Sequence, residues 1–350
     1  MTAISTLRTS AHPRLAVLPT FSARLAGLLG CGAVLALCAT ASLAVGSRSV
    51  ALTDVAGALT AYDGSDAHAI VRDLRLPRTV LGILAGAALG AAGVLMQGTT
   101  RNPLAEPGIL GINAGAAFAV VFGIFVLGIT SVASYTGLAL LGAGVTALLV
   151  LVLGGSAHGG AAPVRLALAG AVMTALLVSL TSAVLVFDAR TLDEFRFWLV
   201  GSIAGRDAEV TRIVLPVIGV GLMIALAAGR WLNALALGDD VARSLGQHVG
   251  RTRALATLGF VLLAGGAVAA AGPIAFVGLA VPHLARSLVG ADHRWVMPYG
   301  IVLGAVVLLV ADVVGRVLVR PAELEVGIVV ALVGAPFFIW LVRRRNLVAL

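Results

Sequence analysis

A few charged side chains that interrupt long apolar stretches are the residues best suited to chemistry in this sequence. Asp312 precedes Arg316 by four positions, the spacing that places opposite charges on one face of a helix. Paired charges within an apolar segment indicate either a functional site or a structural ion pair near a helix end. If Asp312 or Glu106 exchanged a proton or a sodium ion during transport, the protein would be an ion-coupled secondary transporter, which is one hypothesis.

The motifs do not support nucleophilic, metal-binding or phosphate-binding chemistry. All 24 basic residues are arginine, so the chain has neither the lysine of a phosphate-binding loop nor a Schiff-base lysine. His, Cys, Asp and Glu do not occur at metal-ligand spacings in the sequence. We therefore expect no cofactor-binding site in this chain and no ATP hydrolysis by it. The arginines are interpreted as orientation charges, so no nucleic-acid partner is expected.

The elements that must position these residues are membrane helices. Hydrophobic residues make up 60% of the 350 residues and charged residues only 11%, with a mean hydropathy of +1.06. Soluble proteins are about half apolar and a quarter charged. Because roughly 20 apolar residues cross a bilayer, we predict an all-α integral membrane protein with about ten transmembrane helices in a compact bundle. The predicted spans are Leu25–Val45, Thr79–Gln97, Ile109–Ile129, Gly137–Leu153, Leu166–Phe187, Ile213–Gly229, Ala254–Ala271, Ile274–Val289, Pro298–Leu318 and Val326–Val342.

The arginines favour an orientation with both termini in the cytoplasm. An even number of spans puts the termini on one side, and that placement leaves 14 arginines inside and 10 outside. Residues 1–24 then form a cytoplasmic extension, and residues 25–345 form a single ten-helix transmembrane domain in the cell inner or plasma membrane. The 10 outside arginines exceed what the orientation rule alone would leave there.

Two connecting segments carry an amphipathic pattern. The inside loop, residues 230–253, has apolar residues near helical spacing and glycines at Gly238 and Gly246, which predicts two short helices. Such a surface either docks a soluble partner or lies on anionic lipid. Outside, Phe195, Phe197 and Trp198 predict a short amphipathic stretch, for which an aromatic belt at the membrane interface is the alternative interpretation.

Small residues and prolines recur inside the predicted spans. Gly86 and Gly90, like Gly300 and Gly304, are spaced for close helix packing. Prolines around or within other spans indicate interrupted helices, which membranes tolerate where the backbone faces protein or a water-filled cavity. A transport pathway through the bundle is therefore a reasonable hypothesis.

Several longer motifs resemble those of one known family. L-R-L-P-R-T-V-L begins at Leu74, N-P-L-A-E-P-G-I-L-G at Asn102, G-P-I-A-F-V-G-L-A-V-P-H-L-A-R at Gly272, and E-L-E-V-G-I-V-V-A-L-V-G-A-P at Glu323. Together they resemble the FecCD-type permeases, which are membrane subunits of ABC importers for iron-siderophores, haem and cobalamin. The resemblance covers most of the chain from about residue 74 to 345. It implies a ten-helix fold with cytoplasmic termini.

The resemblance also implies partners and the residues that meet them. The partners are a second permease subunit, identical or related, two ATPase subunits, an extracytoplasmic solute-binding protein and the surrounding lipid. Arginines at three positions match those that pair with glutamates of the binding protein, and Asp312 would orient one of them. These are Arg75, Arg78 and Arg316. The expected ATPase coupling residues are Asp239, Asp240, Ala242, Arg243, Leu245 and Gly246.

Gate positions follow from the same resemblance. The expected cytoplasmic gate comprises Asn102, Pro103, Leu104, Glu106 and Ser156, and the expected periplasmic gate region comprises Phe197, Trp198, Gly201 and Ser202. Within this scheme the chain translocates a metal chelate without hydrolysing ATP itself. The ion-coupled transporter that uses Asp312 or Glu106 remains the alternative.

Overall fold

The computed structural model describes residue 18 and residues 20–46, 48–129, 131–154 and 163–343. These ranges are predominantly helical and contain no β-strand, as the predicted all-α class requires. Most of the N-terminal extension lies outside the described residues, and so does Ser156 of the predicted cytoplasmic gate.

Fourteen α-helices follow one another along the described part of the chain. They are α1 (Phe21–Ala44), α2 (Leu52–Thr60), α3 (Asp66–Ala69), α4 (Leu76–Thr100), α5 (Ile112–Leu127), α6 (Val132–Gly154), α7 (Pro163–Phe187), α8 (Ala189–Leu199), α9 (Ala208–Ala236), α10 (Asp239–Ser244), α11 (Val249–Ala271), α12 (Val277–Val289), α13 (His293–Leu318) and α14 (Val326–Arg343). A π-helical turn, Ile70–Arg75, leads directly into α4, and a 3-10 turn, Pro107–Leu110, precedes α5.

Seven of these helices are long and apolar enough to cross a membrane: α1, α4, α6, α7, α9, α11 and α13. Three shorter apolar helices, α5, α12 and α14, lie in the remaining predicted spans. Each predicted span therefore contains a helix, and the chain is a multi-pass membrane protein. The short helices α2, α3, α8 and α10 lie in the connecting segments.

Backbone interruptions account for the shortness of α5 and α12. Gly111 (φ +72°) and Gly128 (φ +63°) bound α5, and both adopt the left-handed conformation that favours glycine. The residue before α12 is Phe276, with φ +67°, an uncommon value for a side chain of this size. Residues 272–276 between α11 and α12 are not helical. An interruption is thus present around Pro273, whereas α12 and α14 continue through Pro282 and Pro336, where prolines had predicted a bend or a stop.

Helix α4 lies at the centre of the bundle and packs closely on α13. A Cβ added to Gly86 would lie 2.5 Å from the Gly304 carbonyl oxygen and 2.8 Å from Cα of Ala305. Gly90 meets Gly300 in the same way, one turn further along α4. The glycine pairs identified in the sequence therefore face each other across one interface, where small residues let two helix backbones approach.

We predict that Gly93→Ala destabilises the protein by about 1–3 kcal/mol, the usual cost of overpacking a close interface. Gly93 lies on α4, and a Cβ there would overlap the Gly278 carbonyl of α12. The matched control is Gly144→Ala on α6, where an added Cβ meets nothing within 4 Å. Thermal unfolding in detergent compares the two variants. Equal midpoints would contradict the close α4–α12 contact.

Candidate functional site

Near the C-terminal end of α13, Asp312 links two arginines from different helices. Its Oδ1 accepts from Arg78 Nη2 at 2.8 Å, and its Oδ2 accepts from Arg316 Nη2. Arg78 Nη1 also donates to Glu323 Oε2 at 2.7 Å, beyond the end of α13. Asp312 and Arg316 are each 1% exposed. The i,i+4 pair expected from the sequence is confirmed, and it belongs to a four-residue charge network.

Two of the predicted docking arginines bind the C-terminal end of α1. Arg316 Nη1 donates to the Ser42 carbonyl at 2.8 Å, and Arg75 Nη1 donates to the Leu43 carbonyl at 2.8 Å. The last carbonyls of a helix lack helical partners and carry partial negative charge, so cations are stabilising there. Both guanidinium groups are buried. A direct docking role for Arg75, Arg78 and Arg316 stays a prediction, while their contacts show that they hold helices together.

A cavity of about 370 Å³ lies beside this network, and its lining is rich in arginine. The arginines in the lining are Arg48, Arg75, Arg78, Arg206 and Arg316. The acidic residues in the lining are Asp73, Asp207 and Glu323. Arg48 is exposed, and so is Arg72 on the neighbouring π-helical turn, whose guanidinium lies 5.1 Å from the centre of the Tyr62 ring. An acidic side chain suits Arg48 and Arg72, while the exposed Asp73 and Asp207 beside the cavity lower the net positive charge of the rim.

The predicted periplasmic gate region is a turn that follows α8. Phe197 and Trp198 lie in the last turns of that helix, and Gly201 (φ +78°) begins the turn itself. Trp198 stacks on Phe195 with ring centres 5.7 Å apart, and both rings are buried. The aromatic-belt interpretation is therefore wrong for these two rings, which pack inside the protein. The backbone of the turn binds neighbouring helices: Ser202 N donates to the Ala271 carbonyl at 2.7 Å, and Gly327 N donates to the Gly201 carbonyl at 3.0 Å.

The predicted cytoplasmic gate loop begins directly after α4. Asn102 Oδ1 accepts from Leu104 N at 3.0 Å and folds the loop into a turn. The Pro103 carbonyl lies 2.9 Å from His283 Nε2, and Glu106 Oε1 accepts from Phe276 N at 3.1 Å. Burial raises the pKa of the Glu106 carboxyl, and the bond from Phe276 N acts in the opposite direction. The loop is therefore held at two points by α12 and the residue before it.

The predicted coupling segment forms one exposed helix, α10. Gly238 (φ +105°) separates α10 from α9, and Gly246 (φ +82°) follows its C-terminal end. The sequence predicted two short helices here, but the first is wrong, because the chain up to Ala236 continues α9. Asp239 anchors α10, since its Oδ1 lies 2.9 Å from Arg253 Nη2 and 3.2 Å from Arg101 Nη2.

The side chains of α10 divide into a buried and an exposed set. Ala242 is fully buried against the bundle, whereas Val241 is 44% and Leu245 63% exposed. Asp240 and Arg243 pair with each other at 2.7 Å on the exposed face. Exposed aliphatic groups flanked by charges fit both interpretations of this segment, a surface that docks a soluble partner and a helix that lies on lipid.

One buried cation was not predicted from the sequence. Arg286 of α12 counted as an inside orientation charge, yet it is 1% exposed and donates to Gln97 Oε1 of α4. It lies in the last turn of α12 and contacts the last turns of α4, so two helix C-termini help to offset its charge. One indication of this lies in the sequence: Arg286 follows His283 by three residues, so both side chains lie on the same face of a helix.

Comparison with known proteins gives consistent matches over nearly the whole chain. A model of the FecCD transport family matches residues 34–344. The ferric enterobactin transport system permease protein FepD of Escherichia coli (strain K12) is 45% identical over 314 residues, 89% of this chain and 94% of FepD. The "Probable siderophore transport system permease protein YfiZ" of Bacillus subtilis (strain 168) is 42% identical over 304 residues, 87% of this chain and 91% of YfiZ. A solved inward-facing structure, assigned to the metal-chelate type of ABC transporter, superposes with a TM-score of 0.81 at 30% identity, covering 91% of this chain and 99% of that one.

Proposed function

The chain belongs to the FecCD transport family, and from that membership we propose that it is the permease subunit of an ABC importer for iron chelates. The observation that carries this proposal is the match along nearly the whole length to permeases, one of them named for ferric enterobactin. The substrate class that fits is an iron-siderophore or a related chelate such as haem or cobalamin. Family membership favours this function over the alternative of an ion-coupled transporter, and both carboxylate oxygens of Asp312 are bound by arginines.

The proposed assembly has two permeases, two ATPase subunits and an extracytoplasmic binding protein, in the inner or plasma membrane. The permease crosses the membrane ten times with cytoplasmic termini, which is supported by the helix in each predicted span and by the charge distribution. ATP and magnesium belong to the ATPase partners, because this chain has no lysine for a phosphate-binding loop.

The mechanism follows from three surfaces of the chain. The binding protein meets the arginine-rich outer rim and releases its cargo toward the Gly201 turn. ATP binding closes the ATPase pair, and α10, seated on that pair, moves with it. Rigid-body tilting of the bundle then exchanges which gate is open. The chain itself supplies a pathway and its gates, and another subunit supplies the energy.

Reconstitution of the permease with its ATPase and binding protein in liposomes tests the function. We expect radioiron uptake from at least one chelate among ferric catecholates, hydroxamates, citrate and haem. This uptake should require ATP and the binding protein, and it should persist when proton and sodium gradients are dissipated. Uptake that continues without the ATPase and stops when a gradient is removed would instead establish the ion-coupled transporter.

Charge reversal at the exposed rim should weaken docking of the binding protein. For Arg48→Glu with Arg72→Glu we expect a slower association, with about a tenfold loss of affinity at low salt and a smaller loss at high salt, because exposed charges mainly steer association. Surface plasmon resonance on the complex in nanodiscs measures this. The control is Arg230→Glu, an exposed arginine on the opposite side, which should leave association unchanged.

The buried arginines should respond differently. Arg75→Glu places a carboxylate against the α1 carbonyls and should reduce the yield of folded protein before any docking can be measured. If Arg75→Glu folded normally but lost affinity for the binding protein, Arg75 would have a direct role in docking.

A further inference from the structure

Helix α12 and the residue before it hold the predicted cytoplasmic gate loop at two points. Pro103 O meets His283 Nε2 at 2.9 Å, and Glu106 Oε1 meets Phe276 N at 3.1 Å. Because a proline carbonyl can only accept, His283 donates from Nε2. The two attachment points are seven residues apart on the α12 side, about 10 Å along a helix. These two contacts attach the loop to α12 and to the residue before it.

The residues just before α12 also contact the outer turn. A Cβ on Gly201 would lie 2.6 Å from the Pro273 carbonyl, so the turn and residues 272–276 touch backbone to backbone. Ser202 N donates to the Ala271 carbonyl at 2.7 Å, at the end of α11. Five extended residues span at most about 18 Å. This short non-helical segment joins the outer turn to the inner loop without an intervening helix.

Helix α12 is fastened to α4 so that it moves as a unit. Its first turn packs on Gly93, and Gln97 Nε2 donates to the Leu279 carbonyl at 3.3 Å. Arg286 donates a hydrogen bond to the amide oxygen of the same Gln97. The first turn and the last turn of α12 are thus bound to one residue of α4, which leaves its connections at Phe276 and His283 as the points that transmit movement.

Phe276 stands at the junction of these contacts in a strained conformation. Its φ of +67° costs free energy for a residue with a Cβ, so surrounding contacts must hold it. A Cβ on Gly334 of α14 would lie 2.7 Å from Phe276 Cγ, which shows how tightly the ring is seated. Glu106 binds the backbone N–H of the same residue. Strained residues of this kind are typical of switch regions.

We propose that residues 272–289 link the two gates, and that Glu106 is the positioning residue which connects the cytoplasmic loop to this link. The inference rests on the proposed permease function. When the bundle tilts, the outer turn displaces residues 272–276, Phe276 carries Glu106 with it, and His283 carries Pro103. One gate therefore cannot change its state independently of the other. Glu106 acts through Phe276 and need not touch the cargo.

Site-directed labelling of the full complex in liposomes tests the link. In a Cys31→Ser, Cys38→Ser background, Leu104→Cys reports on the inner loop and Ala204→Cys on the outer turn, each labelled by a membrane-impermeant maleimide from its own side. In the parent complex the two labelling rates should change in opposite directions when a non-hydrolysable ATP analogue is added. If they do not change, the alternating-gate function itself fails, which is a separate outcome.

Glu106→Ala should abolish the opposite changes in the two labelling rates. We expect Leu104→Cys to label about tenfold faster in the absence of nucleotide, the change expected for loss of a hydrogen bond to a charged group, and Ala204→Cys to lose its nucleotide response. ATP hydrolysis should continue without matching uptake. Glu106→Gln should restore both responses, because its amide oxygen accepts from Phe276 N. Glu209→Ala, on the exposed first turn of α9, serves as the control.

The outcomes distinguish a link between the two gates from a contact that holds only the inner loop. If Leu104→Cys alone changes and Ala204→Cys keeps its response, or if neither changes, the proposal is overturned. A purely structural role would lower the amount of assembled complex without altering labelling per assembled complex, which also overturns it. If Glu106→Ala does not assemble, His283→Leu removes the second attachment of the same loop and should give the same loss of both responses.

Discussion

Replacement of Asp312 by alanine should destabilise the charge network that joins α1, α4 and α13. The carboxylate is the shared partner of two arginines, and its loss leaves Arg316 buried with no carboxylate bonded to it. Removal of one partner of a buried ion pair costs about 3–5 kcal/mol, because the remaining charge is desolvated without compensation. We expect a sharp fall in folded yield and in the thermal midpoint measured in detergent.

A double substitution separates the charge effect from simple loss of contacts. Asp312→Leu with Arg316→Met removes the buried pair together, and Arg78 keeps Glu323 as its partner at 2.7 Å. Part of the lost stability should return, although the C-terminal carbonyls of α1 still lose a donor. The control is Asp193→Ala, which breaks a pair with Arg196 on the exposed face of α8. That change should cost less than about 1 kcal/mol.

The same experiment decides between the two classes of transporter. If Asp312→Ala folded normally and lost only uptake, the carboxylate would have a role in the transport cycle, as an ion-coupled mechanism requires. Loss of folding that the double substitution partly repairs identifies a structural network. The bonds to Arg78 and Arg316 favour the second result.

Local spacing predicted part of this site, and only tertiary structure could supply the rest. The i,i+4 rule predicted the contact between Asp312 and Arg316, because both lie on one helix. It could not predict the contact between Arg78 and Glu323, which are 245 residues apart in sequence. Nor could it predict that Arg75 and Arg316 bind the end of α1, since unpaired helix carbonyls carry no sequence signal.

Helix positions were predicted better than helix ends. Apolar length located a helix in every expected span, because the bilayer fixes that length. Phe276 shows the limit, since nothing in its side chain predicts a left-handed backbone before α12. Gly238 was correctly identified as a break, but the chain before it continues the membrane helix α9 to Ala236.

Substitution of Leu245 by aspartate should abolish transport while leaving the permease folded. Leu245 is exposed, so a carboxylate there costs little in the free permease. In the assembled importer the same side chain would lie in the groove of an ATPase. Loss of a central apolar anchor costs 2 kcal/mol or more, about a thirtyfold loss of affinity. We expect failure of ATPase co-purification, no ATP hydrolysis stimulated by the binding protein, and no chelate uptake.

Two further substitutions isolate the apolar anchor from charge and from folding. His248→Asp adds the same charge to the same exposed segment, but at the N-terminal cap of α11, where aspartate is favourable, so assembly should persist. Ala242→Asp buries a carboxylate beneath α10 and should unfold the segment, with a lowered thermal midpoint that Leu245→Asp does not show. If Leu245→Asp still copurified with the ATPase and supported stimulated hydrolysis, α10 would not be the coupling helix. The contact with the ATPase would then lie elsewhere on the permease.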